Sequence, residues 1–95
     1  MAADIFSQIA VKIIRAQESV IGPLAVEQAK KVSGLQLDWA RHEVRIEGNK
    51  SGVLDDLVKQ YEHLFGLASI QVCRDAAKGL LSDLPKDQLP ASLAS

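Results

Sequence analysis

Apolar side chains return every three or four positions along most of this chain, and that period admits few folds other than packed helices. The clearest instance runs from Val53 to Phe65, where Val53, Leu54, Leu57, Val58, Tyr61, Leu64 and Phe65 share one side of a helical cylinder. Asp55 and Asp56 are expected in its first turn, where they favour the helix dipole, and Asp55 lies four residues before Lys59 as an exposed pair. Ser51 is the expected cap of this helix, which should begin near Val53. A second stretch, Ala3 to about Ile21, places Ile5, Phe6, Ile9, Ala10, Ile13, Ile14, Gln17 and Ile21 on one stripe, with Lys12, Arg15 and Glu18 on the other face and Asp4 near its amino end. A third runs from about Leu67 to Leu81. There Ala68, Val72, Ala76 and Leu80 form a stripe that Ile70, Cys73, Ala77 and Leu81 widen, and its alanines would let another helix approach closely.

The breaks between these stretches are also readable. Gly22-Pro23 turns the chain, since proline suits the first position of a new helix, and a second helix is expected from Pro23 to Val32. Gly34 is a candidate for the left-handed position that ends it. From Leu35 to Gly52 the pattern changes. Leu35 and Leu37 alternate with polar residues, as do Val44 and Ile46, which predicts a short β-ribbon or an irregular segment anchored by Leu35, Leu37 and Trp39. The run Gly48-Asn49-Lys50-Ser51-Gly52 reads as a turn, and Gly66 separates the last two helices. Beyond Leu84-Pro85 the composition suggests a flexible tail in which Leu89 and Leu93 are positioned to dock. The expected architecture is therefore mainly α: a compact bundle of four helices with an irregular or short β-ribbon middle segment, one domain over 1–84 and a tail over 85–95.

Size and composition fit that reading. The 95 residues, 47% hydrophobic and 24% charged, suffice for one modest core and lie far from the composition of disordered chains. Eleven Lys and Arg against 12 Asp and Glu leave a formal charge of -1, a poor basis for an electrostatic grip on nucleic acid. No run is long and apolar enough to span a membrane, and no secretory leader is evident at the amino end. Cys73 is the sole cysteine, which excludes an internal disulfide and a multi-thiolate metal site and makes a cytoplasmic setting the expectation.

Residues capable of chemistry are present but not arranged for it. His42 and His63 are the only histidines, and neither shares a metal-ligand spacing with Cys73 or with the neighbouring carboxylates. A Cys73–His63 nucleophile pair lacks an orienting third group, so Cys73 reads better as a small buried hydrophobe. The sequence G-N-K-S-G at 48–52 lacks the upstream glycine of a phosphate-binding loop. No cofactor and no catalytic residue are expected. Trp39 has two readings: an exposed interface anchor, or a side chain pinning the middle segment over the core with its ring nitrogen at the rim.

The runs IIRAQESVIGPLAVEQAKKVSGL, VLDDLVKQYEHLFG and VCRDAAKGLL, within Ile13 to Leu81, resemble the small helical modules found at the ends of bacterial signalling and regulatory proteins. The resemblance implies an interaction or regulatory domain without catalysis, with Gly22 and Pro23 architectural. The expected function is thus a non-catalytic protein-interaction module whose partner is another protein, with a second copy of the chain as one candidate. Its candidate interface comprises Trp39, Ile70, Cys73, Ala77 and Leu81. A small helix-turn-helix-like DNA-binding regulator is the alternative.

Overall fold

The computed structural model describes residues 5–84 together with 87, 89, 90 and 93. Its elements are α1 (Ile5–Ile21), α2 (Leu24–Ala29), β1 (Leu35–Asp38), a 3-10 turn at Trp39–Arg41, β2 (Glu43–Ile46), α3 (Lys50–Phe65) and α4 (Leu67–Leu81). The expected bundle of four helices is present, and the middle segment is an antiparallel ribbon pairing Leu35 with Ile46 and Leu37 with Val44. No helix among the described residues is long and apolar enough to cross a membrane. The expectations placed on Ala3 and Asp4, and much of the tail, lie outside the described residues.

α1 is the central element, packing against α2, α3, α4 and β2. Its buried face carries Ile9, Ala10, Ile13, Ile14 and Gln17, and α3 answers with Val53, Leu54, Leu57, Val58 and Tyr61. One face of the ribbon closes the core through Leu35, Val44 and Ile46. A two-stranded ribbon is marginal alone and draws its stability from such a helical layer. Beyond α4, Leu84, Pro90 and Leu93 are buried, and Leu89 is half-buried against the core.

The chain reversals use conformations the sequence anticipates. Gly22 and Gly34 take φ of 70° and 85°. Gly34 is also tightly enclosed, because a Cβ there would lie 2.9 Å from the Glu47 carbonyl oxygen and 3.0 Å from Val53 Cγ2. That carbonyl approach lets Glu47 N–H donate to the Gly34 carbonyl at 2.8 Å and closes the base of the ribbon. At the tip, His42 is the one non-glycine residue with positive φ among those described, at 53°.

Five expectations are corrected. α2 ends at Ala29 rather than Val32, because the amides of Lys31 and Val32 turn to the carbonyls three residues back and tighten the last turn. α3 begins at Lys50, with Asn49 as its cap in place of Ser51: the Asn49 side-chain oxygen accepts from Gly52 N–H at 3.1 Å. Asp55 and Asp56 consequently fall after the first turn, although Asp55 does pair with Lys59 at 2.9 Å. Leu64 and Phe65, expected in the core stripe, are exposed in the last turn of α3. In α4 the residues facing inward are Ser69, Cys73 and Ala77, while Ala68 is exposed and Val72, Ala76 and Leu80 are half-buried. The reason is volume: three isoleucines and a glutamine of α1 fill the space, so the helix crossing them presents its smallest side chains.

Candidate functional site

Two buried polar side chains fix how the helices meet. Gln17 of α1 is fully enclosed, and its Nε2 donates to the Ser69 carbonyl at 3.0 Å and to Cys73 Sγ at 3.3 Å on α4. Tyr61 of α3 donates its hydroxyl hydrogen to the Ala25 carbonyl of α2 at 2.6 Å. Burial raises the Tyr61 hydroxyl above its ordinary range. Burial also pushes the Cys73 thiol up to about 11, against a smaller opposing effect of the Gln17 hydrogen bond. Both groups are therefore neutral near pH 7. A neutral, enclosed thiol is a poor nucleophile and a poor metal ligand.

These two contacts bring the α1–α2 turn and the α3–α4 turn to the same end of the bundle. Val20 lies one helical turn beyond Gln17, Leu24 precedes Ala25, Leu64 and Phe65 lie one turn beyond Tyr61, and Leu67 is two residues before Ser69. Those five are the large hydrophobic side chains left exposed among the described residues, Leu67 at 75% and Val20 at 65%. Scattered apolar residues on a surface are ordinary, whereas these five all flank the two turns. Neither 16–29 nor 60–73 contains a Lys or Arg, and the acidic residues within these two stretches are Glu18, Glu27 and Glu62. Sequence reading does not single out these five residues, because Leu64, Phe65 and Leu67 continue helical stripes that look core-directed. Only the meeting of the two turns shows that the stripes run past their neighbours.

The residues singled out from sequence fall elsewhere. Cys73 and Ala77 are fully buried against the chain's own α1, and Ile70 and Leu81 are half-buried against the same core. Trp39 is half-buried, and its Nε1 donates to Glu18 Oε2 at 3.1 Å while its ring meets His42 edge-on at 4.9 Å. It thus ties the ribbon tip to α1 with the ring nitrogen at the rim. His42 and His63 are both exposed, and no group of three or more His, Cys, Asp or Glu side chains is placed to hold a metal among the described residues. A second surface feature is a cavity of about 860 Å3 between α1 and the ribbon, lined in part by Val11, Lys12, Arg15, Val44 and Arg45.

No family model, curated protein or solved structure matches this chain.

Proposed function

We infer that the chain is a non-catalytic protein-interaction or regulatory module that docks a partner through the pole formed by its two helix turns. The observation that carries this reading is the concentration of Val20, Leu24, Leu64, Phe65 and Leu67 at one end of the bundle. Apolar side chains carried on two stretches that hold glutamates and no Lys or Arg suit a protein surface that is itself apolar at its centre and basic at its edge. They do not suit a phosphate backbone or an anionic bilayer, both of which are gripped through Lys and Arg. A second copy of the chain would offer the same cation-free stretches in return, so a foreign partner with a basic edge is the better complement.

Light scattering over a concentration series, followed by titration of the isotopically labelled chain with an amphipathic helical peptide of leucine and lysine, tests this reading. The expected result is a mass of 10.3 kDa throughout, amide shifts centred on the pole, and loss of peptide binding in Leu67→Glu. A doubled mass that persists on dilution and is abolished by Leu67→Glu would replace the foreign partner with a second copy. Peptide binding indifferent to Leu67→Glu and Val20→Glu would remove the pole from consideration. Salt-dependent binding of a short mixed-sequence duplex at the pole would favour the DNA-binding regulator.

A further inference from the structure

Past α4 the chain returns to its own last helix. The amides of Asp83 and Leu84 turn to the carbonyls of Leu80 and Leu81 at 3.1 Å each, and Pro85, which has no N–H, follows in the sequence. The helix ends there. Further on, Pro90 is fully enclosed, Leu93 is 3% exposed and Leu89 is half-buried against the core, whereas Asp87 is exposed. Leu93 N–H donates to the Pro90 carbonyl at 3.0 Å, a bond internal to this segment. No backbone hydrogen bond joins residues 89, 90 or 93 to a helix or to the ribbon among the described residues. What these three residues bring to the bundle is apolar side chains.

The surface they adjoin is the outer flank of α4. Gln71, Arg74, Asp75, Lys78 and Leu81 recur there at helical spacing, and together with Leu93 they line a cleft of about 330 Å3. Gln71, Asp75 and Lys78 are exposed, and Gln71 Nε2 donates to Asp75 Oδ1 at 2.9 Å, so the row is mostly polar. The inward line of α4, Ser69, Cys73 and Ala77, is a different side of the helix. Leu93 is thus an apolar side chain seated beside a polar row, with a gap left between them. Packing that closes a core leaves few such gaps. A chain end held through apolar side chains, without ladder or helix bonds to its neighbours, belongs to the parts of a protein that open first.

We propose that this flank of α4 is a recognition groove for a short Leu-Pro-x-x-Leu segment of a partner protein, and that the chain's own Leu89, Pro90 and Leu93 fill it until such a segment takes their place. The pattern is that of the occupant the structure shows, in which those three side chains are the covered ones and Asp87 is left to solvent. Pro90 fixes its φ in advance, so less freedom is lost when such a segment seats. Tethered to α4 by a few residues, the chain's own segment acts at an effective concentration on the order of millimolar. It therefore closes the groove to weak competitors and yields to a tighter one. Leu81 is at the opposite end of α4 from Leu67. The groove is separate from the turn pole, and the two stand or fall independently.

The test uses the full-length labelled chain and a capped peptide of residues 85–95 added in trans. The natural chain should bind it only at millimolar concentration. Leu93→Glu empties the groove of its own occupant and should bind the same peptide about tenfold tighter, with shifts at the amides of Gln71, Lys78 and Leu81. Leu89→Ser, the milder change, should fall between the two. A peptide with glutamate in place of both leucines should bind none of the three chains, and Leu93→Glu should keep the hydrogen-exchange protection of α1 and α3. The proposal is overturned by equal affinity of the natural chain and both variants, or by shifts confined to the turn pole. Loss of the α1 and α3 protection in Leu93→Glu, with no gain of affinity in Leu89→Ser, would overturn it by making Leu93 a part of the core that cannot leave. A mass that doubles as the natural chain, but not Leu93→Glu, is concentrated would overturn the foreign occupant in favour of tails exchanged between two copies.

Discussion

Gln17 and Cys73 are 56 positions apart in the chain and 3.3 Å apart in the fold. That Gln17 belongs to the core stripe of α1 is readable from spacing alone, and so is the character of Cys73 as a small buried side chain. Their partnership is not, because helical periodicity says which face turns inward and nothing about which element it meets. The enclosure of this pair has a measurable consequence. The folded thiol titrates at about 11 against an ordinary value of 9.0. The folded state therefore favours the protonated thiol, and the associated stability is complete below pH about 9 and is lost as pH rises toward 11. Buried Tyr61 acts in the same direction and begins to do so above pH about 10, its ordinary value, since burial raises it too. Urea titrations at pH 7, 9 and 11 should show little change over the first interval and a clear loss over the second, of which the thiol contributes about 2 kcal/mol. Cys73→Ala should start less stable at pH 7 and lose less over the second interval. If its decline matches that of the natural chain, the thiol is not the group responsible.

At the scale of the element, the start of α3 moves the cap from Ser51, expected from the sequence, to Asn49. Ser51 and Asn49 both belong to the group of good caps, and both precede the apolar run. Gly48, at φ of 83°, redirects the chain so that Asn49 is the last extended residue, with φ of -76° and ψ of 98°. Its side chain then folds back over Gly52 N–H, and a Cβ on residue 52 would stand 3.3 Å from Asn49 Cγ and crowd it. The glycine that suggests a longer loop is therefore part of the cap. Asn49→Ala should cost about 1 kcal/mol in chemical denaturation, and Ser51→Ala only a few tenths. The reverse order would return the cap to Ser51. The ribbon shows the other side of legibility: the alternation of Leu35, Leu37, Val44 and Ile46 is plain in the sequence, but four-residue strands compete with a helical reading of Leu37, Ala40 and Val44. What decides is Gly34, whose positive φ and enclosure by Glu47 and Val53 clamp the base of the ribbon. That clamp is a long-range contact, and no local pattern carries it.

Across the whole molecule, the division between core and exposed apolar surface follows from how α1 and α4 pack. Ser69, Cys73 and Ala77 form the inward line of α4, opposite the bulky face of α1. Small residues in this seam allow the helices to approach, and the wide apolar character of α4 is mostly consumed within the chain. The apolar side chains that remain exposed are at the pole, where the helices run past one another. Two kinds of substitution should consequently separate. Ala77→Leu inserts three heavy atoms into a fully buried seam and should cost about 1–3 kcal/mol through overpacking, with a corresponding fall in melting temperature. Exchanging Val20, Leu64 and Leu67 together for glutamine or serine removes exposed apolar area and should change stability by about 0.5 kcal/mol or less per site. The same triple variant should lose binding of the basic amphipathic peptide at the pole while keeping the hydrogen-exchange pattern of α1 and α4. A triple variant that unfolds would show that those side chains support the bundle. One that folds and still binds the peptide at the pole would show that apolar contact there is not what holds it.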